Sequence, residues 1–314
     1  MVCIMKKAML YPLAIFCLLS FAVASFFILQ IFANYAPSVT YISQWSGLTI
    51  SNSTPVFASP AESGEAVAYL ARSRPVRVTA QAGDFMRVRF DDTIGYVHAT
   101  NLRPAKPDII PSTYWRTTAE HDTMTITTTP AARNDNITSR LIIHHTAGLP
   151  FTTHDTNATL RRIRDTHYFH LTVQNWSDLG YHFVIDGAGR IWEAAPLFAR
   201  GTHSGGYFNH DIGISIIGNF HPTTSYNLVQ TMPHGQEMTD EQQIALMDLC
   251  RWLVFELGLD NIVYGDESQP RPWLHAPIGM HSDVVIRACP GDNVVPWVHR
   301  VLRSEINAWV RARG

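Results

Sequence analysis

The sequence holds no block of like charge, few charges of either sign and only four cysteines in 314 residues. Lysine and arginine total 24 against 26 aspartates and glutamates, a net charge of −2 that argues against nucleic acid or acidic polymers as partners. Charged residues make up 16%, against the roughly 25% usual in soluble domains. The 46% apolar share is nevertheless too high for a disordered chain. No CxxC or HxxxH pair occurs, so the closely spaced ligand pairs of structural zinc are missing. No repeat period appears either, and the length suits about two ordinary domains of roughly 150 residues with extra segments.

The apolar content is unevenly spread. From Ala8 to Ala33 no charge occurs, and only Pro12, Ser20, Ser25 and Gln30 fall outside the apolar set. About 20 apolar residues span ~30 Å of hydrocarbon as a helix, whereas a cleavable signal has an apolar part of only ~7 to 15. Lys6 and Lys7 precede the run and no charge follows before Glu62, so the positive-inside rule predicts residues 1–7 as a cytoplasmic tail, 8–33 as a transmembrane anchor and the remainder outside. The competing expectation is a signal cut after Ala22-Val23-Ala24, which would release the chain. Export leaves Cys250 and Cys289 as the cysteines able to bridge or, for one of them, to bind a metal.

Short strand-like pieces follow at Pro55–Ala58, Ala66–Leu70, Pro75–Ala80, Phe85–Phe90 and Ile94–Val97, separated by Gly, Ser, Asp and Pro. This spacing predicts a small all-β barrel over residues 46–104. Its last hairpin, with Gly95-Tyr96-Val97 ahead of Leu102, resembles a bacterial SH3-type domain. The resemblance implies either a module that holds wall peptides or a packing domain without a ligand. Residues 105–137 carry Pro107, Pro111, Pro130 and many threonines, which predicts a connector or an extension draped over the next domain.

From residue 138 to 314 strands and helices alternate, predicting an α/β domain with a mixed sheet flanked by helices. Leu141–His145 reads as a buried strand, Asn157–Phe169 as a helix, Tyr181–Asp186 and Arg190–Ala194 as a hairpin, and Ile212–Ile217 as a strand buried on both faces. Thr239 and Gln242 form a capping box for a helix that places Cys250 on its apolar face, with Gly258 as its stop. A last helix from near Pro296 is expected to bury Val298, Val301, Leu302 and Trp309.

Position singles out a few of the fifteen histidines. His144 and His145 close the strand "LIIHHTAG", and His281 and Cys289 bracket "HSDVVIRACPGD". Two imidazoles and a thiolate select zinc over magnesium or calcium, and three protein ligands leave a tetrahedral position open, as in catalytic sites. Adjacent strand residues point to opposite faces, so one of His144 and His145 reaches such a metal; alternation does not say which.

The segments "LIIHHTAG", "WSDLGYHFVIDGAGRIWEA", "GTHSGGYFNHDIGISIIGNF" and "MHSDVVIRACPGD" resemble, in order and spacing, the type 2 N-acetylmuramoyl-L-alanine amidases, a group that includes phage amidases and peptidoglycan recognition proteins. The resemblance implies Zn2+ held by His144, His281 and Cys289, with His145 a neighbouring core residue. It also implies catalytic roles for Tyr181 and Arg287 and substrate contact through His203. Arg287 stands where some members carry lysine; it stays charged at any working pH, which suits an oxyanion and not proton donation. Ser215 stands where glutamate-dependent members carry their base, and Phe208 where many carry asparagine. The implied reaction is hydrolysis of the amide between N-acetylmuramic acid and L-alanine, with peptidoglycan or muropeptides as partners and the membrane reached through the N-terminal helix. The alternatives are a non-catalytic peptidoglycan binder and a metal-dependent peptidase of the stem peptide. The expected location is the bacterial cell envelope, anchored or secreted.

Overall fold

The computed structural model describes residues 38–116, 132–133, 140–221, 235–259 and 277–314. The anchor expected at 8–33, its tail and parts of the connector lie outside these residues. Among the described residues no helix is long and apolar enough to cross a membrane.

The first unit is a seven-stranded antiparallel sheet built from β1 (Thr40–Thr49), β2 (Thr54–Phe57), β3 (Ala66–Leu70), β4 (Pro75–Ala82), β5 (Phe85–Phe90), β6 (Thr93–His98) and β7 (Leu102–Pro104), in the order β3-β2-β6-β5-β4-β1-β7. Alternation drives it: Val76 and Val78 of β4 and Met86, Val88 and Phe90 of β5 turn inward and are buried, while Arg77, between the two valines, and Arg89, between Val88 and Phe90, face outward. Gly95 is required where β6 crosses β2, because a Cβ there would lie 2.4 Å from the Val56 side chain. The sequence misses β1, whose Ser43, Gln44, Ser46 and Gly47 dilute its apolar residues; pairing along β4 supplies what propensity lacks.

The second unit is a six-stranded sheet of β8 (Ile109–Ile110), β9 (Leu141–His145), β10 (Phe183–Ile185), β11 (Ile191–Glu193), β12 (Ile212–Ile216) and β13 (Ile278–Met280), ordered β13-β9-β12-β10-β11-β8. Only β10 and β11 run antiparallel; the other pairs are parallel. The Ile109–Ile110 segment therefore extends this sheet as an edge strand, and α1 (Thr113–Arg116) behind it buries Trp115, whose indole donates to the Glu193 carbonyl at 2.7 Å.

Helix α2 (Thr156–Thr172) is capped by Asp155, whose carboxylate accepts from Asn157 N. Helix α3 (Asp240–Glu256) opens with the full Thr239–Gln242 capping box and buries Leu246, Leu249, Cys250 and Leu253. Both Cys250 and Cys289 are free, so the disulfide that export would allow does not form: Cys250 is sealed in the helix core, where it acts as a small apolar residue. After the short α4 (His281–Val284), the C-terminal segment departs from one continuous helix. A turn at Val295–Trp297 leads through a wide π turn, Val298–Leu302, into α5 (Arg303–Arg311). Val298, Leu302 and Trp309 are buried as expected, whereas Val301 is only partly covered.

The two units share packing. Trp45 of β1 meets Trp309 of α5 edge to face with centroids 6.1 Å apart, and the Arg251 guanidinium stacks over Trp45 at 5.0 Å. Glu305 accepts from Ser43 N and Oγ, and Arg313 donates to the Ala99 and Leu102 carbonyls of the barrel.

Candidate metal centre

Parallel pairing assembles the site. β12 and β13 flank β9, so their carboxyl ends lie on one edge of the sheet, where open α/β sheets bind ligands. Met280 pairs with Ile143, so the next residue on each strand, His281 and His144, emerges at the same level. The loop after α4 returns Cys289 to this edge and is closed by Ser282 N donating to the Cys289 carbonyl at 2.9 Å.

One nitrogen of His144, one of His281 and the Cys289 sulfur all lie within 4.8 Å of one another. Cys289 Sγ stands 3.6 Å from His144 Nδ1, and the His144 and His281 ring centroids are 4.6 Å apart. This donor set fits zinc: atoms bound at about 2.0 to 2.3 Å to one ion must lie ~3 to 4 Å apart, and two imidazoles with a sulfur are its preferred ligands. Burial and the neighbouring His203, His281 and His145 hold the His144 imidazole well below its ordinary pKa, and burial with Arg287 brings His281 to about 4, so both rings are neutral bases at pH 7. Burial alone pushes the Cys289 thiol up to about 12, opposed by the His145 amide, which donates to the sulfur at 3.4 Å. A divalent cation reverses that preference, since a coordinating thiol is deprotonated outright.

His145 turns to the other face, where its ring meets His221 at 4.8 Å and its Nδ1 accepts from Phe220 N. Tyr181 lies just ahead of β10, its ring 5.1 Å from that of His144. Burial and the Cys289 sulfur raise its phenol above the ordinary range, with Ser215 acting the other way, so the hydroxyl keeps its proton. Gly180 lets this backbone pass beneath Trp176: a Cβ there would lie 2.7 Å from the indole. Trp176 is thus a half-buried packing residue, its ring tilted against that of His170 with centroids 4.4 Å apart. Arg287 is exposed on the rim, beside Ile286, which is 95% exposed.

His203 departs from the expectation of substrate contact. The residue is only 5% exposed, and both ring nitrogens face protein groups: Nδ1 lies 3.1 Å from His144 Nε2 and 2.9 Å from Ser204 Oγ, while Nε2 lies 3.0 Å from the Asp211 carbonyl. The loop around it is organised by Asn209, whose Oδ1 accepts from the amides of His203, Ser204 and Gly205. Sequence reading attended to Phe208 and passed over Asn209; the signal was an asparagine three residues beyond the Gly205-Gly206 turn. Phe208 itself packs 5.3 Å from the Arg140 guanidinium.

Residues 134–292, just over half of the chain, match the family model for N-acetylmuramoyl-L-alanine amidase. The chain belongs to that amidase family. Residues 51–104 match the bacterial SH3 domain model. Among curated relatives, a peptidoglycan-recognition protein of Drosophila simulans is 42% identical over 81 residues, covering 26% of this chain and 42% of the relative. Peptidoglycan recognition protein 3 of Mus musculus is 30% identical over 124 residues, 39% of this chain and 32% of the relative. The chain thus spans less than half the length of these two relatives. Among solved structures, Drosophila peptidoglycan recognition protein SD aligns with a TM-score of 0.48 and 20% identity over 63% of this chain and 96% of that one. The endolysin amidase LysCS of Clostridium intestinale aligns with a TM-score of 0.40 and 23% identity over 65% and 95%.

Proposed function

We propose that this amidase-family protein is a zinc-dependent N-acetylmuramoyl-L-alanine amidase of the cell envelope, hydrolysing the amide between the lactyl group of N-acetylmuramic acid and L-alanine. The carrying observation is the convergence of His144, His281 and Cys289 within 4.8 Å at the ligand-binding edge of the sheet. Zinc held there supplies Lewis acidity, polarising a carbonyl and bringing water into reach of deprotonation at neutral pH.

The chain's own groups stabilise the charge that develops on the carbonyl oxygen. The protonated Tyr181 phenol donates a hydrogen bond to the oxyanion as the carbonyl becomes tetrahedral, an interaction stronger in the transition state than in the substrate. Arg287, permanently charged, offsets the same developing charge from the rim. Ser215 carries no ionisable group, so no carboxylate base stands at that position on β12. The membrane anchor expected at 8–33 and the barrel at 46–104 suit a substrate outside the cytoplasm: the first restricts the enzyme to the envelope, and the second is fixed against the catalytic unit through Trp45 and Trp309.

A non-catalytic peptidoglycan receptor is the reading this one displaces, because a receptor has no use for a half-buried thiol facing two neutral imidazoles. The two separate on digestion of purified peptidoglycan with the zinc-loaded protein, followed by mass spectrometry. Release of stem peptides beginning with L-alanine supports the amidase. Glycans bound but left intact would mean a receptor, and cleavage within the stem would mean a peptidase.

A further inference from the structure

The neighbourhood of His203 assigns this residue a different task from contacting substrate. We infer that His203 is a positioning residue that fixes the tautomer of His144, leaving the His144 Nδ1 lone pair bare toward Cys289. The inference goes beyond the proposed hydrolysis, since it concerns the protein before any metal arrives.

A carbonyl oxygen only accepts, so the Asp211 carbonyl, 3.0 Å from His203 Nε2, requires the proton of the neutral ring to sit on Nε2. His203 Nδ1 is then an acceptor. It lies 2.9 Å from Ser204 Oγ, whose hydroxyl can donate to it, and 3.1 Å from His144 Nε2; two bare nitrogen lone pairs facing each other at that distance would repel, which places a proton on His144 Nε2, and Ser204 Oγ at 3.4 Å is a second acceptor within its reach. With its proton on Nε2, His144 presents an unprotonated Nδ1, the atom 3.6 Å from Cys289 Sγ. A hydrogen bond on the far nitrogen is the general means by which a ligating histidine has its tautomer and ring angle set.

The surroundings pack His203 closely. Its ring lies in a slot between two glycines: a Cβ at Gly201 would lie 2.5 Å from the ring, and one at Gly213 would lie 2.7 Å from it. The Asp211 carbonyl is itself anchored, since Asp211 N donates to the Phe208 carbonyl and the side chain pairs with Arg140 at 3.1 Å. The two glycines, Asn209 and Asp211 therefore serve one purpose: they hold one imidazole still so that it can hold another.

The test is the nitrogen spectrum of the metal-free protein with 15N-labelled histidine. The wild type is expected to show His144 protonated on Nε2 alone; a proton on Nδ1 overturns the proposal, whether or not any variant folds. In His203→Phe, His144 should become a mixture of tautomers and zinc affinity should fall about 10- to 100-fold in chelator competition. His203→Asn, whose Oδ1 restores an acceptor near the Nδ1 position, should recover most of that affinity. A folded His203→Phe variant with unchanged tautomer and unchanged affinity contradicts the role. Because the tautomer is read without metal, absence of zinc binding in the wild type would sink the proposed function and leave this assignment standing.

Discussion

Cys289 Sγ lies 3.6 Å from His144 Nδ1, although the two residues are 145 positions apart in the chain. The relationship joins a strand end to a loop at the other end of the domain, and it depends on β13 lying beside β9 so that His281 and the loop behind it arrive at the same edge.

Tyr181→Phe removes the phenol and leaves the ring packed against His144 and His170. Turnover should fall by a factor of about 10² to 10³, the usual loss for one oxyanion donor, with zinc content unchanged. Steady-state kinetics and metal analysis on one preparation check this; unaltered kinetics would remove Tyr181 from the mechanism.

Arg287→Gln should lower kcat/KM by about tenfold, less than the tyrosine change because an exposed charge is screened by water. Arg287→Lys should restore most of the loss, since charge and not proton transfer is what the rim supplies. Equal losses in both variants would point to guanidinium geometry instead.

The barrel and the amidase unit should melt together. Trp309 is 1% exposed and packs on Trp45 across the seam, so Trp309→Ala should cost about 3 to 5 kcal/mol. Calorimetry of the exported portion should show one transition that shifts as a whole. Two transitions, of which only one moves, would make the barrel an independent module.

Acid should destabilise the metal-free fold well before carboxylates titrate. Burial brings both His170 and His182 to about 4, whereas an unfolded histidine titrates near 6.5. Above 6.5 these rings are neutral in both states and contribute nothing to the pH dependence. As pH falls from 6.5 to 4 the unfolded chain takes up protons that the folded chain refuses, and stability drops by up to about 3 kcal/mol per ring. Melting temperatures measured across that window should decline steadily; a flat profile would contradict the burial of these groups.

Much of the site was legible because its residues mark the ends of strongly patterned elements. "LIIHH" reads as a buried strand without help, and the capping box with Gly258 delimits α3 from composition alone. Other features depend on contacts between distant segments. β13 has only Ile278, Gly279 and Met280, too short for a periodicity, and exists because β9 offers it an edge. β8 is two isoleucines captured by β11. The burial of His203 follows from two glycines and a carbonyl, none of which announces a histidine slot locally.

The most direct test of the account is X-ray absorption at the zinc edge on metal-loaded protein, wild type and Cys289→Ala. The wild type should show one sulfur at about 2.3 Å with nitrogen and oxygen neighbours at about 2.0 to 2.1 Å, and Cys289→Ala should lose the sulfur shell, bound zinc and turnover together. A wild-type spectrum without sulfur, or a Cys289→Ala protein that keeps its zinc and its activity, would contradict it.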